Sequence, residues 1–187
     1  MNTEHRDTET LRNAPDLSAL LLESVHAFNA YRAAHPEAPV VLAGLDAQGR
    51  DLSGADLHGA DLFEANLAWS SLENANLEGA DLRRCRMEAC NLTCARLDDA
   101  LMDNANLRAA KLCGATLRGA MLVGGTFQGA DLGDAVFDGA GLRRVCFCDA
   151  DLRGASFKGA NLAEADFRWA TYEIDDIESD LSGARLR

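Results

Sequence analysis

The sequence predicts an all-β solenoid of square coils, on three observations. A large apolar residue recurs every fifth position, a small residue sits two places before it, and the pattern runs through 26 consecutive units from Arg50 to Ser179 without an insertion. The large residue is Leu in 17 units, the small one Ala in 19. A period of five does not fit a helix: at about 100° per residue, successive leucines would lie about 140° apart and form no stripe. It does not fit a flat strand either, because strand faces alternate every two residues and five is odd. A chain that turns a corner every five residues satisfies the pattern. The large and small residues then point inward and the other three outward. Four such sides close one coil, so that the 26 units make six and a half coils.

The elements follow in order. Residues 1–15 are polar and charged and are expected to be a flexible tail. Residues 16–49 are expected to form a helix and cap. In this segment Leu17, Leu21, Val25 and Phe28 follow helical spacing, Glu23, Asn29 and Arg32 lie opposite, Asp16 is placed as N-cap and Pro36 as the stop. The helix and the segment Pro39 to Leu42 read as a plug for the open end of the solenoid, which would otherwise present an unpaired backbone edge. Residues 50–179 are the coils. Their inward centres include Leu52, Leu57, Leu62, Leu67, Leu107, Leu112, Leu117 and Leu122, followed by Phe127, Phe137, Phe147, Phe157 and Phe167. Residues 180–187 form a C-terminal tail in which the phase slips by one, Leu181 and Leu186 standing where 182 and 187 are expected.

Stretches such as Ala55-Asp56-Leu57-His58-Gly59, Ala75-Asn76-Leu77-Glu78-Gly79 and Ala150-Asp151-Leu152-Arg153-Gly154 resemble the A(D/N)LXX motif of the pentapeptide-repeat family. The resemblance runs from Arg50 to Ser179, most of the chain. It implies the right-handed quadrilateral β-helix of that family. It also implies a second reading of function, because family members of the Qnr and MfpA type are acidic rods that bind DNA gyrase or topoisomerase IV. The chain departs from those members in three respects. Arg83, Arg84, Arg86, Arg96 and Arg108 make a basic area mid-rod, no loop interrupts the coils, and no long apolar helix closes the C-terminus.

Composition narrows the function classes. The formal net charge is −12 and the pI about 4.6, which argues against binding nucleic acid or an anionic membrane through phosphate neutralisation. No stretch of about 18 apolar residues is present to span a bilayer. Six cysteines are too few for a disulfide scaffold, so the expectation is free thiols in a reducing cytoplasm. Cys94 and Cys113 fall on adjacent coils, where they approach each other. The four histidines are scattered, with no zinc-type spacing, no nucleophile motif and no phosphate loop. No enzyme activity, cofactor or metal is therefore expected.

The outward positions carry what remains. Residues 20 apart stack, and one column reads His58, Glu78, Asp98, Arg118, Asp138, Lys158, Glu178, with alternating charge from Asp98 onward. Glu88 with Arg108 and Arg83 with Asp103 repeat the idea. Phe63, Leu101, Met121 and Val123 are outward apolar residues on one side and form the candidate partner surface. Asp51, Asp56, Asp61, Asp98, Asp138, Asp176 and Glu178 form the candidate acidic surface. The expected function is a non-catalytic protein-binding scaffold, monomeric or dimeric. The alternative is a DNA-mimicking binder of a type II topoisomerase that inhibits the enzyme or protects it from quinolones or toxins.

Overall fold

In the computed structural model, which describes residues 15–172 and 182–186, parallel bridges join residues 20 apart all along the chain, from Val41 with Asp61 to Asp151 with Thr171. Four five-residue sides therefore make each coil of a solenoid. The sides stack into four faces, here called A, B, C and D after the inward Leu52, Leu57, Leu62 and Leu67. Each side contributes one bridged residue per coil, because the chain turns again before an extended strand can form.

The hydrogen bonds explain the motif position by position. Around Leu57, its own N–H donates to the Asn76 carbonyl of the next coil (2.7 Å), that of Gly59 to Glu78 (2.8 Å), that of Asp61 to Val40 (2.8 Å), and that of Ala60 closes the corner onto Leu57 (3.1 Å). Four of five amides thus have backbone acceptors. The fifth belongs to the residue after the central Leu, and the Asp or Asn before that Leu accepts from it. Ser53 N–H donates to Asp51 Oδ1 (3.0 Å), Phe63 to Asp61 (3.1 Å) and Thr93 to Asn91 (3.2 Å). The acidic or amide residue of the motif satisfies a main-chain donor that would otherwise lack a protein partner. On three sides where it is replaced, an Asp one coil away takes over. Arg118 N–H donates to Asp98 (2.7 Å), Val123 to Asp103 (2.8 Å) and Lys158 to Asp138 (3.1 Å), at coils whose bridged residues are Thr116, Met121 and Ser156.

Each corner places one residue in the left-handed region. Glycine fits there, but the position is also held by Ala109 (φ 54°), which is exposed, and by Trp69 and Trp169 (φ 63° and 62°). A side chain in this region costs roughly 1–2 kcal/mol, against roughly 0.5–1 kcal/mol of extra unfolded-state entropy for Gly. Ala109→Gly is therefore expected to raise the melting temperature by an amount equivalent to about 0.5–1 kcal/mol. A lowered melting temperature would contradict the corner geometry.

The interior is packed with apolar side chains. The Leu centres are buried, as are the Ala residues before them. From Phe127 onward, faces D and B send aromatic rings into the axis by turns. Rings 20 apart stack (Phe127–Phe147 at 5.4 Å and 6°, Phe137–Phe157 at 5.0 Å and 4°), and rings 10 apart meet edge to face at 5.6–6.3 Å.

The first coil begins ten residues earlier than the boundary expected at residue 50. Val41 and Asp46 already bridge to Asp61 and Asn66, and Val40, Leu42, Leu45 and Ala47 are buried. In this coil Leu45 and Ala47 exchange sizes, Leu taking the small position and Ala the centre, which hides the unit from a search for large centres. At the other end Asp166 bridges to Arg185, one position short of the regular step, and Tyr172 Oη donates to the Leu186 carbonyl (2.9 Å). Leu181 lies outside the described residues, as do residues 1–14 of the expected tail.

The N-terminal helical segment is two helices, not the single one expected: α1 (Leu17–Glu23) and α2 (Val25–Ala34). Asp16 caps α1 through Ser18 and Ala19 N–H (3.0 and 3.2 Å). Ser24 is extended (φ −158°, ψ 109°) and its hydroxyl accepts from Ala27 N–H (3.2 Å), which ends one helix and starts the next. Helix α2 reaches the rod through Asn29, whose amide donates to Gly54 O and accepts from Asp56 N–H, both at 2.9 Å. Arg32, 5% exposed, donates to His58 O (2.9 Å) and to His58 Nε2 (3.1 Å), with its Nε 3.7 Å from Asp56.

Candidate interaction surface

The outer surface differs from face to face. On face C the backbone ladder sets Leu101 and Met121 directly against each other on adjacent coils. They are 40% and 42% exposed. Val123 stands beside Met121, half-buried, and the Met121 thioether lies over Gly141, where an added Cβ would meet Sδ at 2.8 Å. Leu101, Met121 and Val123 therefore form one apolar patch. Phe63 is not part of it. It stands three coils from Val123 in the same column, and the Arg83 and Arg84 guanidinium groups cover its ring, each 5.7 Å from the centroid.

Ion pairs border the patch at both ends. Toward the N-terminus Arg83 pairs with Asp81 (2.5 Å) and Arg84 with Glu64 (3.1 Å). Toward the C-terminus Arg143 and Arg144 share Glu164 (2.5 and 2.7 Å). Hydrogen bonds from Arg144 and Arg143 hold the Glu164 carboxyl down at about 2. A carboxylate with a lower folded than unfolded pKa stabilises the fold above the unfolded value and loses that contribution as pH falls through the folded one. The Glu164 contribution is thus expected to disappear between the ordinary 4.5 and about 2, and Glu164→Gln should flatten the melting temperature against pH over this window. An unchanged slope would contradict the pairing. The group is exposed, so the effect is small.

The charge columns are built differently from the expectation. Glu88 accepts from the Asn106 amide (2.7 Å), not from Arg108, and Asp103 accepts from Val123 N–H, not from Arg83. Arg83, Arg153 and Arg168 pair instead within their own side, with Asp81, Asp151 and Asp166 two residues before. Two residues along a side is the shorter reach for an Asp that also holds an amide, though Asp166 has the Arg185 guanidinium of the next coil at 3.8 Å as well. All five described members of the acidic set are occupied in this way. Asp51, Asp61, Asp98 and Asp138 accept main-chain amides, and Asp56 accepts from the His58 ring at 2.7 Å. The Ser53 hydroxyl and then its amide hold Asp51 below the usual carboxylate range. Asp176 and Glu178 lie outside the described residues.

Two exposed side chains escaped the sequence reading. Trp69 and Trp169, 67% and 73% exposed, stand at the same corner of face D, with Arg168 5.3 Å above the Trp169 ring. A bulky ring at the corner position, where most units place Gly, Asp or Asn, was the available signal.

Among the described residues no three His, Cys, Asp or Glu side chains converge as a metal set, and no helix is long and apolar enough to cross a membrane. An open groove of about 410 Å³ on face A is lined by Cys113, Asp131, Gly133, Asp134, Asp151, Arg153 and Gly154.

Several solved structures are similar to the chain. One is the crystal structure of HetL, a pentapeptide repeat protein involved in heterocyst differentiation regulation from Nostoc sp. strain PCC 7120 (26% identity, 86% of this chain and 92% of that one, TM-score 0.40). Another is a pentapeptide repeat protein of the Arabidopsis thaliana thylakoid lumen (33% identity, 52% and 72%, TM-score 0.42). A third is QnrB1, a plasmid-mediated fluoroquinolone resistance protein (17% identity, 80% and 92%, TM-score 0.45). No curated protein matches the chain. The model of the pentapeptide repeats matches overlapping segments from residues 42–79 to 135–171, and with the 20-residue ladder this places the chain in the pentapeptide repeat family.

Proposed function

We propose that the chain is a non-catalytic protein-binding scaffold that docks its partner on face C, through Leu101, Met121 and Val123. The observation that carries this reading is the patch itself. Two large apolar side chains stand exposed side by side on a rod whose other bridged positions are mostly polar, and ion pairs rim them, the arrangement of an apolar centre with a polar border. The two helices dock on the first coil through Asn29 and Arg32 and in this reading serve as its N-terminal cap. Leu101→Asp combined with Met121→Asp leaves every inward residue in place. The variant is expected to keep the wild-type circular dichroism and lose partner capture, while Lys111→Asp on face A keeps both. Capture unchanged in the double variant would remove face C from consideration.

The net charge of −12 keeps the second reading, a DNA mimic that acts on gyrase or topoisomerase IV. The acids committed to main-chain amides and the Arg–Asp pairs along each side favour the scaffold. A supercoiling assay separates the two: inhibition of gyrase, or relief of quinolone inhibition, at micromolar protein supports the mimic, and no effect ends it.

A further inference from the structure

Cys94 and Cys113 occupy adjacent coils at the edge of face A, on the side of the rod opposite the docking patch. Cys94 N–H donates to the Cys113 carbonyl at 3.0 Å, which makes the two residues diagonal neighbours across one rung of the ladder. With a spacing of about 4.8 Å between rungs and a rise of about 3.3 Å per residue, their Cα atoms stand about 5.8 Å apart, inside the roughly 4.4–6.8 Å that a disulfide spans. The Cys94 sulfur already points toward the coil of Cys113. It lies 3.5 Å from where a Cβ on Gly114, the residue next to Cys113, would stand. Gly114 adds no side chain between them, and the Cys113 sulfur, which lies 3.7 Å from where a Cβ on Gly133 of the following coil would stand, must turn about its χ1 to meet Cys94. Cys94 is exposed, and Cys113, half-exposed, lines the open groove of face A, which gives a small reagent access to both thiols.

We propose that Cys94 and Cys113 form a reversible intrachain disulfide by exchange with a low-molecular-weight disulfide of the glutathione type. The Cys94 thiolate attacks one sulfur of the reagent. The reagent S–S bond breaks, and one thiol leaves carrying the proton that Cys94 gave up. The Cys113 thiolate then attacks the Cys94 sulfur and expels the second thiol in the same way. Two protein thiols are oxidised to one disulfide, and one small disulfide is reduced to two thiols. Burial, together with the facing Asp131 and Asp134, pushes the Cys113 thiol up, so that Cys113 acts second. Three of the remaining cysteines are poorly placed for this step. Burial pushes Cys85 up to about 12 and Cys90 to about 11, and Cys148, its thiol directed at the Asp166 carbonyl, is also pushed up to about 12. The bond would tie one coil to the next and make the middle of the rod sensitive to thiol redox state.

The test uses the folded, reduced chain and oxidised glutathione, followed by alkylation and non-reducing tryptic mass spectrometry. The expected product is peptide 87–96 joined to peptide 112–118, lost in both C94S and C113S. It should accompany a rise in melting temperature of about 5–10 °C that dithiothreitol reverses and neither variant shows. Alkylation of Cys85 and Cys90 only after denaturation confirms that exchange occurred in the native rod. Stable mixed disulfides with glutathione, a bond confined to Cys146 and Cys148, cross-linking between chains, or thiols that stay reduced would each overturn the proposal.

Discussion

Phe147→Ala is expected to lower stability by about 3–5 kcal/mol, the range for deleting a fully buried aromatic ring. Phe147 is the hub of the ring column. It stacks on Phe127 and Phe167 at 5.4 and 5.0 Å, and meets Phe137 and Phe157 edge to face at 6.0 and 5.7 Å. Its removal forfeits all four of these ring contacts and opens a void that the fixed ladder allows little room to close. In a solenoid each coil is stabilised by its neighbours alone, so the damage should be local. Amides of the coils from residue 127 to 172 should lose protection against hydrogen exchange, while those between residues 52 and 100 keep it. A loss well below the expected range, or one spread evenly along the rod, would contradict the packing described.

Arg32→Ala is expected to release the two helices from the first coil. Arg32 is the charged side chain of α2 that is buried, and its Nη2 donates to the His58 carbonyl and Nε2, beside Asp56. Hydrogen bonds to charged groups contribute about 1.5–3 kcal/mol each when intact. Asp56 remains partly solvated, which places the expected loss toward the lower end of that range. The helical circular dichroism signal should melt ahead of the rod, because the polar contacts of Asn29 with Gly54 and Asp56 and the buried Leu21 and Phe28 then hold the helices without Arg32. A single transition at the wild-type temperature would show that Arg32 does not hold the helices.

The coil was legible because its period is covalent. A Leu every fifth position admits few backbone paths, and Ala before it admits fewer. The first coil was missed where Leu45 and Ala47 exchange places, since the rod accepts the same summed volume in either order. The break at Ser24 was missed because the apolar spacing of Leu17, Leu21, Val25 and Phe28 continues across it, and a single extended residue changes direction without disturbing that spacing. The surface was less legible for a physical reason. A column of residues 20 apart gives the order of charges, but not which atom each carboxylate serves. Asp98 reads as one charge in an alternating ladder, and in the fold it accepts the Arg118 amide at 2.7 Å. The apolar patch was partly legible: Leu101, Met121 and Val123 come together, and Phe63 instead lies beneath two arginines.

The central claim is that the acidic residues of the rod serve the rod and that binding lies in the departures from the repeat. Replacement of Asp51, Asp61, Asp98 and Asp138 by Asn tests it most directly, because Asn keeps the oxygen that accepts the main-chain amide and removes the charge. Quantitative partner capture would compare this variant with the wild type and with the Leu101→Asp, Met121→Asp double variant. The partner set should be retained by the Asn variant and lost by the double variant. Loss in the Asn variant with retention in the double variant would contradict the account.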